Sequence, residues 1–386
     1  MTSIRGFGRW TLRGPLVVCL ILTAGTLTAG CTADDPQPLP IPPPQVTSPA
    51  PGGLVMAVPR ASHTATPLPG GRVLIVGGCV VDHCDGTAGA DSELFDPATG
   101  RFTPGAPMSV PRAGHTATAL ADGRVLVVGG FSGERLPPLV SAEVYDPATA
   151  RFEPTGAMSV RRAEHTATRL RDGRVLIAGG ANGTNILAGA EIYDPATGRF
   201  SAAPALPGPR SMHGATLLAG GRVLVAGGQS ARGTLLDTAA IYDPATDSWR
   251  AAGRLDAPKY KLAVAALPDG GALVVGGQTA DDRQARLART ERFDPRSGTF
   301  RPGPQMSEPR YKISDAVVTL ADGRVVIAGG YGVDTYADGA LRALGTVSGP
   351  ERQFPAAAAL PAGRVLITGG YDDRTYLTAT AVVVQP

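Results

Sequence analysis

Seven basic residues recur at one place in seven successive repeats. Arg60, Arg112, Arg162, Arg210, Lys259, Lys312 and Arg352 each stand eight residues before a leucine. Cations brought to one axis would attract an anionic ligand, such as an acidic sugar. The alternative is internal pairing with the carboxylates of the same repeats. Glu93, Glu143, Glu191 and Glu291 recur two residues before an aromatic and are the natural partners. Unpaired like charges ~10 Å apart cost only about 0.4 kcal/mol per pair in water, and more in a narrow channel. The two roles are compatible.

Other residues could also carry chemistry. His63, His115, His165 and His213 share a second repeat position, replaced by Leu262, Asp315 and Pro355 in the last three units. Imidazoles meeting on an axis could bind a metal. However, adjacent repeats would hold them several ångströms apart, and hydrogen-bonding strand residues are expected instead, with no metal or other cofactor. Cys79 and Cys84 stand five apart in Cys79-Val80-Val81-Asp82-His83-Cys84. In an oxidising compartment they form a disulfide. A Cys-His-Cys metal site would crowd three ligands into six residues. Tyr331, Tyr336, Tyr371 and Tyr376 cluster in the last two variable loops after the Gly pairs and suggest stacking on a sugar ring or a peptide, with Tyr331 and Tyr371 as candidate ligand contacts. A Tyr-Lys pair recurs as Tyr260-Lys261 and Tyr311-Lys312, and the repeat supplies no reason for it.

The elements that must position these groups are short strands. A Gly pair ends an apolar run at Gly77, Gly129, Gly179, Gly227, Gly276, Gly329 and Gly369, each with its following glycine, at spacings of 52, 50, 48, 49, 53 and 40. The second unit shows the pattern. His115 to Leu120 is a first strand, and Asp122-Gly123 is expected to make a two-residue hairpin. Arg124 to Val128 is a second strand, ending at the Gly pair. A variable loop leads to Ala142 to Tyr145, the third strand. Asp146-Pro147 turns the chain into a fourth strand from Arg151-Phe152. Four strands per unit predict a propeller blade, whose wet faces are buried only by its neighbours.

The Gly pair, the Asp-Pro turns at Asp96, Asp146, Asp194, Asp243 and Asp294, and the aromatic after each turn (Phe102, Phe152, Phe200, Trp249, Phe300) resemble kelch repeats over about residues 54–386. The resemblance implies an all-β, seven-bladed β-propeller of four-stranded blades, with the variable loops gathered on one binding face. The sixth unit lacks the Asp-Pro turn, and Asp338-Gly339 is expected to supply a hairpin. The seventh unit lacks a fourth strand. The segment from Leu54 to Arg60 resembles the tail of one and is expected to complete the last blade and close the ring.

The formal net charge is +3, and Arg5, Arg9 and Arg13 supply all of it, since no acid precedes Asp34. From Cys31 onward bases and acids balance, which removes the case for nucleic acid. Hydrophobic residues make up 43% of the chain, with 51 Gly and 35 Pro among 386 residues. That composition argues for a packed core with many turns and against long helices. Pro15 to Gly30 is an uncharged, mostly apolar run after the basic start and reads as an export signal. Leu27-Thr28-Ala29-Gly30-Cys31 looks like the lipobox of bacterial lipoproteins, with Thr28 where an aliphatic residue is usual. Residues 1–31 are thus expected to be a signal peptide ending in a lipidated Cys31, and the Pro-rich residues 32–53 an extended tether. The protein would be exported and anchored through membrane lipid to the bacterial cell envelope, at the outer membrane, on its periplasmic or cell-surface side.

These features favour a monomeric, non-enzymatic binding module for a protein or glycan. The alternative is a carbohydrate-active enzyme, similar to galactose oxidase or to the exported bacterial sialic-acid mutarotases. Oxidase chemistry lacks an obvious thioether donor, since the only body cysteines are the close pair. No acid–base pair stands apart from the repeat pattern.

Overall fold

The computed structural model describes residues 53–82, 87–133, 136–230, 233–347 and 350–386. The export segment with Cys31, the tether up to residue 52, and Cys84 lie outside them. Seven four-stranded antiparallel sheets are present among the described residues. Blade one comprises Thr64–Pro67, Val73–Val76, Ser92–Asp96 and Arg101–Pro104, and blades two to six repeat that order. In blade seven, Leu54–Val55 supplies the outermost strand and pairs with Thr380–Val384, in the register Leu54↔Ala381 and Val55↔Thr380. The N-terminal segment therefore closes the ring as the sequence predicts.

The second strand of every blade is buried throughout, as in Val73–Val76, Val125–Val128 and Val175–Ala178. A strand covered on both faces reads as a continuous apolar run, not an alternating one. The cores lie between blades. One joins Leu68, Leu74, Val76 and Met108 of blade one to Val125, Val127 and Tyr145 of blade two. Another joins Met56 and Ile75 to Leu360 and Leu366 across the closing seam. No blade could keep this apolar surface dry alone.

The recurrent motifs have local causes. The third-strand aromatic packs on the aromatic after the Asp-Pro turn, with ring centroids 4.9 Å apart for Tyr145 and Phe152. At that turn Asp146 Oδ1 accepts from the Ala148 amide at 2.8 Å. Both glycines of each pair adopt positive φ. A Cβ on Gly77 would come within 2.5 Å of the Arg112 carbonyl oxygen, and one on Gly78 within 2.5 Å of the Ala61 carbonyl oxygen. The second glycine then clips blades together, since the Gly78 amide donates to the Arg112 carbonyl at 2.8 Å.

Two expectations need correction. The Asp122-Gly123 turn is a three-residue loop, closed by Leu120 N–H to the Arg124 carbonyl at 2.8 Å, and only Gly123 has positive φ. The two-residue hairpin occurs instead in blade six, where Asp338 (φ 50°) and Gly339 (φ 83°) join Gly332–Ala337 to Ala340–Thr346. Tyr336 is not a loop aromatic. It lies on the third strand of blade six, 5% exposed in the core.

Candidate ligand site at the channel mouth

The basic ring proves to be inter-strand scaffolding. Arg60, Arg112, Arg162, Arg210, Lys259 and Arg352 are all buried. Arg112 donates to the carbonyls of Gly129 (3.0 Å) and Ser141 (2.9 Å) and pairs with Glu143 at 3.0 Å. Arg60 meets Glu93 at 3.0 Å, Arg162 meets Glu191 at 2.8 Å, and Lys259 meets Glu291 at 2.5 Å. These are the carboxylates the repeat pattern picks out. Arg210 and Arg352 lack such a partner and donate to Thr238 and Thr380 instead. Burial pushes both down to about 10. In this structure these six side chains are committed to bonds within their blades.

In the sixth blade, Arg310 holds the buried place, not Lys312. Arg310 pairs with Asp334, donates to the Gly329 carbonyl at 2.8 Å, and its own carbonyl accepts from the Gly277 amide. Ser314 and Asp315 are an insertion before the inner strand Val317–Thr319, which displaces a count made back from Leu320. For the same reason Ile313, not Asp315, takes the histidine position.

The histidines are structural. His115, His165 and His213 place Nε2 at 3.2, 2.9 and 3.0 Å from the hydroxyls of Thr64, Thr116 and Thr166 in the preceding blade, and His63 lies 2.8 Å from Thr368. Burial drives all four well below the ordinary imidazole value, His115 and His213 to about 3. No group of three or more potential ligands among the described residues could hold a metal ion. Cys79 is disulfide-bonded.

Two residues beyond each buried cation lies one of Ser62, Gly114, Glu164, Met212, Lys261, Lys312 and Phe354. All have φ between 51° and 60°. Each amide donates to the preceding blade's carbonyl, from Gly114 to Ser62 (3.2 Å), Lys312 to Lys261 (2.9 Å) and round to Ser62 on Phe354 (3.2 Å). Seven peptide groups thus form a closed hydrogen-bonded circle at the mouth of the channel.

The circle is chemically lopsided. Blades one to three carry Ala61, Ala113 and Ala163 beside it, whereas blades five to seven carry Tyr260, Tyr311 and Gln353. On that side the loops after the Gly pairs add polar groups. Lys312 Nζ donates to Tyr371 Oη at 2.7 Å and Gln353 Oε1 at 3.2 Å. The Tyr311 hydroxyl donates to Gln353 Oε1 at 2.6 Å, and Gln353 Nε2 donates to Asp373 at 2.7 Å. Arg286 bridges Glu351 and Asp373, each at 2.8 Å, and donates to Tyr311 Oη at 3.0 Å. Gln278 Nε2 donates to Tyr260 Oη at 2.7 Å, beside Asp281 and Lys261.

Charges here are strongly perturbed. Burial pushes Lys312 down to about 7, aided by the nearby Lys261 and Arg286 charges. It pushes Glu164 up to about 7, against the pull of Lys261. Of the residues singled out in the sequence, Tyr311, Lys312 and Tyr371 meet in this cluster. Tyr331 is 53% exposed on its loop, its amide held by Glu308 at 2.9 Å. Arg286, Glu351, Gln353 and Asp373 escaped sequence reasoning. The signal available was the break from alanine to Tyr260, Tyr311 and Gln353, together with the unexplained Tyr-Lys pairs.

No curated protein matches the sequence. A solved structure entitled "Structure of YjhT" is similar over 86% of this chain and 96% of that one, with a TM-score of 0.57 and 14% identity, a likeness that shows the fold alone. Residues 62–254, half of the chain, match the family model described as the KLHDC2/KLHL20/DRC7 Kelch-repeats domain. With its seven closed blades and recurrent glycine pairs, the chain belongs to the kelch-repeat family.

Proposed function

We propose that this propeller is a binding module of the cell envelope, exported and lipid-anchored through Cys31, that takes a polyhydroxylated, glycan-like ligand at the channel mouth. The observation that carries the reading is the lopsided circle. Three blades replace alanine with Tyr260, Tyr311 and Gln353, and their loops bring Arg286, Tyr371 and Asp373 to the same place. Planar donors and acceptors beside aromatic faces suit the alternating hydroxyls and C–H patches of a sugar ring. A structural role alone does not call for them, since blades one to three close the same circle with alanine.

Calorimetric titration of glycan-array hits onto the wild type, Gln353→Ala and Tyr311→Phe tests the site. The expected result is at least a tenfold weakening in both variants, with both still folding cooperatively. Undiminished affinity in both, or capture of proteins but no glycan, would overturn it. The anchor is tested separately by labelled-palmitate incorporation, which Cys31→Ser should abolish.

A further inference from the structure

The chain contains three lysines against 33 arginines, and all three lie within blades five and six, at Lys259, Lys261 and Lys312. Lys259 is buried in its pair with Glu291. Lys261 lies 3.9 Å from the Asp281 carboxylate. Among the described residues no carboxylate forms a salt bridge with Lys312. Its nitrogen faces neutral groups, the Tyr371 hydroxyl and the Gln353 amide oxygen, inside three aromatic rings. The ring centroids of Tyr311, Phe354 and Tyr371 stand 4.9, 5.3 and 5.0 Å away. Arginine would suit a permanent cation better, since it never loses its proton in proteins. A lysine differs in offering a free amine, and cationic neighbours with an apolar surround favour that form.

We propose that Lys312 Nζ is a reactive amine that condenses with the carbonyl carbon of an aldehyde or ketone ligand, such as an open-chain sugar, held at this mouth. The inference deepens the glycan-site reading and rests on it. The amine lone pair attacks the carbonyl carbon, an N–C bond forms, and the C=O π pair moves to oxygen. One amine proton passes to that oxygen, with the Tyr371 hydroxyl 2.7 Å away as relay. The resulting carbinolamine then breaks its C–O bond. The oxygen takes the second amine proton and leaves as water, and an imine remains. No oxidant or reductant is consumed.

Burial supports the assignment, because an amine depressed to about 7 is half neutral at pH 7, whereas an ordinary lysine is neutral in roughly one molecule in a few thousand. Lys261 is lowered as well, by burial, but the charges of Asp281 and Glu164 oppose the shift. Asp281 and Asp373 also oppose the shift of Lys312, from further off.

The test is reductive trapping. The full chain is incubated at pH 7 with glyceraldehyde and cyanoborohydride, and adducts are mapped by mass spectrometry. Lys312 should be modified at least tenfold faster than Lys261, and Lys312→Arg should lose that adduct. Because the wild type alone gives the Lys312-to-Lys261 ratio, the result does not depend on the variant folding. Equal rates at the two lysines, or no adduct at Lys312, would overturn the inference. Glycan binding without an adduct would sink the amine chemistry alone. An adduct without glycan binding would keep the amine chemistry and sink the glycan reading.

Discussion

Arg210 donates to the hydroxyl of Thr238 at 3.4 Å, at the place where Arg162 one blade earlier meets Glu191 at 2.8 Å. The carboxylate is missing because Ala240 occupies the register position that Glu191 holds in blade three, opposite Val225 as Glu191 is opposite Ile177. A buried guanidinium without a counter-ion is costly. Ala240→Glu should therefore stabilise the protein, by about 1–3 kcal/mol, and Glu191→Ala should destabilise it by about 3–5 kcal/mol. Urea unfolding of the two variants measures both. A loss of stability in Ala240→Glu would show that blade four has no room for the pair.

The glycine pairs differ from the turn glycines in what surrounds them. A Cβ on Gly129 would lie 2.4 Å from the Arg162 carbonyl oxygen, which is backbone and cannot step aside. On Gly173 the nearest atom is the Ala121 Cβ at 4.0 Å. Both have positive φ. Gly173→Ala should cost only the conformational penalty of about 1–2 kcal/mol. Gly129→Ala should cost clearly more, because it also pushes apart the clip between blades two and three. Thermal midpoints of the two variants decide this.

Ring closure rests on a short segment. Met56 is 2% exposed and fills the seam between blades seven and one, as Met108 fills the seam between blades one and two. Each change to alanine should cost about 2–4 kcal/mol. Only Met56→Ala should also promote self-association, because the two-residue strand Leu54–Val55 covers the last sheet's edge. Light scattering as a function of protein concentration reads the difference, and identical behaviour of the two variants would count against a closing role.

Stability should fall with acid for a stated reason. The four buried histidines have folded values far below their unfolded value of 6.5. The unfolded chain thus binds more protons between pH 6.5 and about 3. Stability is full above 6.5 and is lost as pH falls, by up to roughly 1.4 kcal/mol per unit for each histidine. Glu164 acts with the opposite sign. Its folded value of about 7 exceeds its unfolded value of 4.5, so its neutral form stabilises at low pH and that contribution is lost as pH rises through 7. Asp315, pushed up by burial to about 6, and Glu291, also raised by burial, act in the same sense as Glu164. Four imidazoles outweigh these three carboxyls, so urea midpoints should drop from pH 7 to pH 5. His165→Gln should flatten the slope and Glu164→Gln should steepen it. A midpoint independent of pH would contradict the burial of these rings.

Much of the architecture was legible in the chain because its causes are local. Two glycines at positive φ, an Asp-Pro turn and an apolar four-residue run each act over a few residues. Seven glycine pairs, each closing an apolar run, fix the blade count, and the likeness of Leu54 to Arg60 to a fourth strand fixes the closure. The pairing of Arg60, Arg112, Arg162 and Lys259 with Glu93, Glu143, Glu191 and Glu291 was likewise visible as one of two readings. What the sequence could not choose was which cations turn inward. Arg310 and Lys312 are two residues apart, yet one is sealed against Asp334 and the other reaches Tyr371 and Gln353, because the positive-φ crossing at Lys312 turns the chain between them. The cluster of Lys312, Gln353, Tyr371, Arg286 and Asp373 draws on three blades. Only the curvature of the closed ring brings residues so far apart in sequence within hydrogen-bonding reach.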